Sequence, residues 1–198
     1  DKEGDGEQVD NPAASFLLRG KVEYLFQRYE AERELTGMLL CLQDGNIEVP
    51  VLGEMVHSWV ERTLGSSPEA RARNPNTLFL VMTKFDKEFG RSQGQDDGSQ
   101  SKRFDGRIRE NLLKFWERRG WAADWDGEPF RNCYWLRNPA FISDIMEHDQ
   151  AERETGIRKG KEDFIAKMRS FCVDSELVAR HMRDAGTAFD EAMRPNDG

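Results

Sequence analysis

Three short apolar runs constrain the fold of this chain most: MLLCL (38–42), LFLVM (78–82) and the NCYWL segment (132–136). Each is too short for a buried helix, and the first two lack polar alternation. Such runs suit central strands covered on both faces, the pattern of a parallel sheet. Apolar residues at helical spacing separate them. Leu18, Val22, Leu25, Phe26 and Tyr29 precede the first run, and Leu52, Met55, Val56, Trp59 and Val60 precede the second. Phe104, Ile108, Leu112, Phe115 and Trp116 precede the third. Strands alternating with amphipathic helices predict an α/β fold, a parallel sheet sandwiched by helices with right-handed crossovers.

After the third run the chain reads as helical, with Phe164, Ile165, Met168 and Cys172 on one face, then Leu177, Val178, His181, Met182 and Phe189. Glu147-His148-Asp149 reads as a solvated helix end. The expected organisation is a polar, Gly-rich arm (1–14), an α/β region (15–150) and a helical extension (151–198). Asn11-Pro12 or Ser15 offers a cap for the first helix. Gln43-Asp44-Gly45-Asn46 is a turn signal, and Pro68 to Pro75 a loop. GRSQGQDDGSQSK (90–102) is a low-complexity polar insertion, expected as a surface loop.

The net charge of -8, from 37 acids against 29 bases, argues against nucleic-acid binding, which needs a basic face. It also argues against docking on an anionic membrane. No apolar stretch approaches the roughly 20 residues of a bilayer span. No signal peptide is visible, so a cytoplasmic location is expected, with secretion the other option. The widely spaced Cys41, Cys133 and Cys172 are expected as buried free thiols. His57, His148 and His181 show no HExxH or Cys/His ligand spacing, so no metal is expected. No G-x-S-x-G nucleophile elbow exists. Trp59 and Trp116 fall on apolar helix faces; Trp121 and Trp125 suit either packing under a loop or a partner contact.

In a parallel sheet, ligands sit beyond the carboxyl ends of the strands. There the second run ends in Thr83-Lys84-Phe85-Asp86. A carboxylate at a strand end can accept two hydrogen bonds from one edge of guanine, and adenine presents a different pattern. The lysine stem can lie over a flat base while its ammonium stays hydrated. The Thr83 hydroxyl can brace the loop. The same four residues also fit a solvated strand end with an incidental Lys and Asp.

TKFD after LFLVM resembles the [NT]KxD base-recognition motif of guanine-nucleotide-binding P-loop proteins. The order of elements resembles the carboxyl-terminal half of that fold. SFLLRGKVEYLFQRY, LFLVMTKFD and CYWLRNPAF are similar to segments of the putative bacterial virulence factor family of SrfC type, large proteins with a GTPase-like region. The likeness spans roughly residues 15 to 145. It implies that Asp86 contacts the guanine edge, Lys84 packs over the base and Thr83 braces the loop. The family's next loop, which offers a backbone N–H to the base, falls here on Leu136, Arg137 and Asn138. Its RNP departs from the usual small residues.

No G-x-x-x-x-G-K-[ST] phosphate cradle is present. Gly20-Lys21 lacks the upstream glycine, and GIRKGK (156–161) is one residue short. Phosphoryl transfer depends on those parts. The chain alone is therefore expected to be inactive and to carry no cofactor, with GTP or GDP and Mg²⁺ bound only in a longer parent protein. The alternative is a non-catalytic module with a degenerate nucleotide-binding fold that docks bacterial or host proteins.

Overall fold

The computed structural model describes residues 20–21, 24–25, 28–29, 35–43, 50–90, 99–138 and 144–195. The chain divides into a unit 1–36 and a unit 37–198. In the first, the described residues Gly20, Lys21, Tyr24, Leu25, Arg28 and Tyr29 are helical. Leu18, Val22 and Phe26 of the proposed stripe lie outside the described residues, as do the arm 1–14 and its cap candidates. Asp44 and the remainder of its turn, residues 91–98 of the polar insertion, and 139–143 also lie outside them.

The second unit is a mixed α/β structure built on the three apolar runs. They form β1 (Met38–Leu42), β2 (Leu78–Met82) and β3 (Cys133–Trp135). The strands are parallel in the order β1-β2-β3. Met38 pairs with Leu78 and Leu42 with Met82, while Leu80 pairs with Cys133 and Met82 with Trp135. Parallel neighbours require crossovers. The first carries α1 (Pro50–Thr63) and the short α2 (Pro68–Arg71). The second carries the short α3 (Lys87–Gly90) and α4 (Ser99–Ile108). Helix α4 thus begins inside the stretch expected as a loop. It continues through a π-helical segment, Arg109–Leu113, and a last α turn, Lys114–Trp116.

Side chains alternate across a strand, so registered strands present two common faces. Leu78, Leu80, Met82, Cys133 and Trp135 are buried on one. On the other, Leu39 is 65% exposed, Leu136 just past β3 is 49% exposed, and Tyr134 is 39% exposed. The expectation that MLLCL is covered on both faces is therefore corrected. An apolar run reports hydrophobicity, whereas coverage depends on what packs against each side. Cys41 lies on the open face and is exposed, also against expectation, while Cys133 and Cys172 are buried free thiols. Burial pushes the Cys172 thiol up to about 12.

The covered face meets an aromatic cluster. Phe85 stacks on Trp135 at 4.9 Å between ring centroids and meets Phe89 and Phe189 edge-on. Trp116, Trp121, Trp125 and Phe130 form a second chain of ring contacts. Trp121 and Trp125 are both buried, which fits packing rather than an exposed partner contact. Trp116 also donates its Nε1–H to the Gly53 carbonyl at 3.0 Å, joining the end of the π-interrupted helix to α1.

Helix alone after residue 136 is not what forms. Met146–His148 (β4) and Glu154–Ile157 (β5) make an antiparallel hairpin with a bulge between Glu147 and His148. Asp149, expected at a helix end, builds the turn. Its carboxylate accepts from the N–H groups of Ala151 and Arg153 at 2.8 and 3.0 Å. The Arg153 N–H and guanidinium, with the Ala151 N–H, hold its pKa below the ordinary range. Helices α5 (Glu162–Val173), α6 (Glu176–His181) and α7 (Ala185–Ala192) follow. The Ser175 hydroxyl caps α6 by accepting from the Val178 N–H and donates to Asp105 of α4 at 2.6 Å. Residues 162–192 are thereby bonded to the sheet-bearing unit.

Candidate functional site

All five residues singled out beyond the strands fall at the carboxyl end of the sheet. The Thr83 N–H and hydroxyl both donate to the Leu42 carbonyl, at 2.8 and 3.3 Å. Thr83 thus joins the ends of β1 and β2. Lys84 adopts a left-handed backbone, φ 57°, uncommon for a residue with a Cβ. That reversal drives Phe85 into the aromatic cluster and brings Asp86 toward the end of β3. The Phe85 N–H donates to the Leu136 carbonyl at 3.1 Å, tying the loop to β3. Lys84 is half-buried.

Asp86 is 4% exposed. Its Oδ2 accepts the Asn138 backbone N–H at 2.6 Å. Its Oδ1 is buried and has no hydrogen-bond partner. The nearest cation is Arg137, whose Nη1 lies 3.8 Å from Oδ1, too far for a hydrogen bond. Burial raises the Asp86 pKa above the ordinary Asp value. The Asn138 N–H, its own N–H and Arg137 oppose the rise, and the Glu154 carboxylate adds to it.

Arg137 is turned away from the loop. Its Nη1 and Nη2 donate to the two Glu154 oxygens at 2.6 Å each. Its Nε donates to the Ala192 carbonyl at 2.7 Å, and Nη2 to the Arg194 carbonyl at 2.9 Å. Both side chains of the pair are almost fully buried, at 6% and 2% exposure. Two carboxylates therefore share one guanidinium. A hollow of about 470 Å³ opens beside it, between Leu136, Glu154 and Ala192 to Pro195; Asp86 does not line it.

A second buried pair lies under the same loop. Arg107 of α4 donates from Nη2 to the Thr83 carbonyl at 2.7 Å and stands 3.6 Å from Glu88. Glu154, Arg107 and Glu88 were not legible as site residues, because isolated charged residues in a polar sequence usually face water. No sequence signal marks them; only the pairing does.

Thr83, Lys84, Asp86 and Asn138 thus lie together at the strand ends, while Arg137 bonds to Glu154 of the hairpin and to the end of α7. The arrangement offers a buried carboxylate with one oxygen that makes no hydrogen bond, two residues from Lys84. It can accept donors from a planar ligand edge; it holds no nucleophile–base pair. Among the described residues no group of three or more His, Cys, Asp or Glu side chains could hold a metal ion. Among them, too, no helix is long and apolar enough to cross a membrane. Comparisons with curated proteins and with solved structures returned no match. The family model described as "Putative bacterial virulence factor" matches residues 2–198, and the chain belongs to that family.

Proposed function

We propose that this chain supplies the base-recognition half of a guanine-nucleotide-binding domain in a larger virulence factor. The observation that carries the reading is the Asp86 Oδ1: a buried carboxylate oxygen at a strand end with no hydrogen bond. A buried acceptor left open is costly unless a donor arrives. Guanine brings two adjacent donors, N1–H and N2–H, and adenine does not. A carboxylate has about four acceptor positions, so Oδ2 can accept from the base while keeping the Asn138 N–H. The Lys84 stem would cover the base face, and Thr83 and Asn138 would hold the loop. Since Asp86 is 4% exposed, a base would have to displace neighbouring groups to reach it. The phosphate cradle, Mg²⁺ and hydrolysis belong, on this reading, to a parent protein that adds a G-x-x-x-x-G-K-[ST] loop.

The test is a thermal-shift titration with millimolar GDP against ADP. A ligand that binds only the folded state must raise its stability. GDP should raise the melting temperature, ADP should not, and Asp86→Asn should remove the difference. Equal responses to both nucleotides, or to neither, would refute base recognition. A second reading, a non-catalytic module that docks bacterial or host proteins, is favoured by the open sheet face bearing Leu39, Tyr134 and Leu136. It predicts stable protein capture in nucleotide-free buffer that Leu39→Ser weakens and Asp86→Asn does not.

A further inference from the structure

We infer that Glu154 is a positioning residue for the proposed base site: it holds the Arg137 guanidinium off Asp86 and so keeps the Asp86 Oδ1 from being taken up by an internal hydrogen bond. The inference rests on the guanine reading above and assigns that site a component from outside the strand-end loops.

Guanidinium has five N–H donors. Arg137 uses one on the Ala192 carbonyl, one on the Arg194 carbonyl and two on Glu154. The remaining N–H is on Nη1, the nitrogen 3.8 Å from Asp86 Oδ1. A charge-assisted N–H···O bond would need about 2.8 Å, so a displacement of about 1 Å would close the contact. Nothing on the Asp86 side prevents it, since Oδ1 has no other hydrogen bond. What holds the guanidinium back is chiefly the charged, bidentate grip of Glu154 at 2.6 Å on both oxygens, with the neutral Ala192 and Arg194 carbonyls beside it. Glu154 lies on β5, whose hairpin places it behind Arg137 rather than beside the loop. An Arg137 bound to Asp86 would occupy the acceptor that the base needs and mask its charge. The competing carboxylate therefore works by drawing the guanidinium away from Asp86.

The experiment compares GDP titrations, followed by ¹H–¹⁵N spectra, of the full chain, Glu154→Gln, and the double variant Glu154→Gln/Arg137→Gln. Glu154→Gln cannot hold both guanidinium nitrogens, so Arg137 moves to Asp86, and GDP affinity should fall at least tenfold. The double variant removes the intruding cation, and affinity should return to within about threefold of wild type. A merely structural role predicts the reverse order, the double variant being weaker than the single. Glu154→Gln binding like wild type, or no recovery in the double variant, overturns the inference. If wild type ignores GDP, the base reading fails and this inference falls with it. Should either variant not fold, the Arg137 side-chain ¹⁵N signals of wild type decide: they should stay fixed when GDP binds. Movement of those signals as large as that of the Thr83 to Asp86 amides would place Arg137 on the ligand and overturn the exclusion role.

Discussion

Arg137→Met removes the group on which the hairpin, the end of α7 and the β3 exit all converge. Four hydrogen bonds disappear: two at 2.6 Å to Glu154, one at 2.7 Å to the Ala192 carbonyl and one at 2.9 Å to the Arg194 carbonyl. The dominant loss is not the bonds themselves. Glu154 keeps its charge, with a side chain only 2% exposed, and loses the two guanidinium bonds. Breaking a buried pair from one side destabilises by about 3–5 kcal/mol, because the remaining charge stays desolvated while that attraction is lost. The two carbonyls border an open hollow and can rehydrate, so they add little. With a urea m-value of about 2 kcal/mol/M, the unfolding midpoint should fall by about 2 M at constant m. Arg137→Met/Glu154→Met removes both buried charges and should recover most of that loss, giving a coupling of at least about 2 kcal/mol in the double-mutant cycle. Hydrogen exchange should also quicken at residues 185–195 in the single variant. A single variant within about 0.5 kcal/mol of wild type would refute the clamp, since only a surface side chain behaves so.

Two further outcomes follow from local geometry. His181 is 1% exposed, and its Nδ1–H donates to the Phe130 carbonyl at 2.9 Å in the neutral ring. Burial lowers its pKa in the fold. The unfolded chain then binds more protons between the folded value and the unfolded value of about 6.5. Stability from this group is complete above about 6.5 and is lost as pH falls through that window, so His181→Gln should flatten the pH 5–7 stability slope relative to wild type. Gly65→Ala should destabilise by about 2 kcal/mol in thermal unfolding. Gly65 closes α1 at φ 98°, and a Cβ there would meet the Ala70 Cβ at 2.6 Å. An unchanged melting temperature would show that the turn can relax.

The strand-end position of Asp86 was legible because an apolar run of strand length ended in a polar cluster, and a parallel sheet puts such ends where ligands sit. Helix α4 was legible from Phe104 and Ile108 at four-residue spacing. The hairpin was not. MEH and ETGI alternate too weakly to be distinguished from a helix end, and their pairing depends on a turn built by the Asp149 carboxylate. Arg137 read as a loop residue beside a base, because its partner stands seventeen residues further along the chain. Whether an arginine faces a ligand or a buried carboxylate is decided by what the fold places behind it.

The amino-acid sequence by itself determined the three strands, their alternation with helices, the place of Asp86 and the family. Those follow from hydrophobic period, length and local motif, which act over a few residues. Only the tertiary structure decided which sheet face is open, which carboxylate holds Arg137 and that the Asp86 Oδ1 has no hydrogen bond. Burial and ion pairing are set by groups distant in the chain, and their energies depend on desolvation that no local pattern encodes.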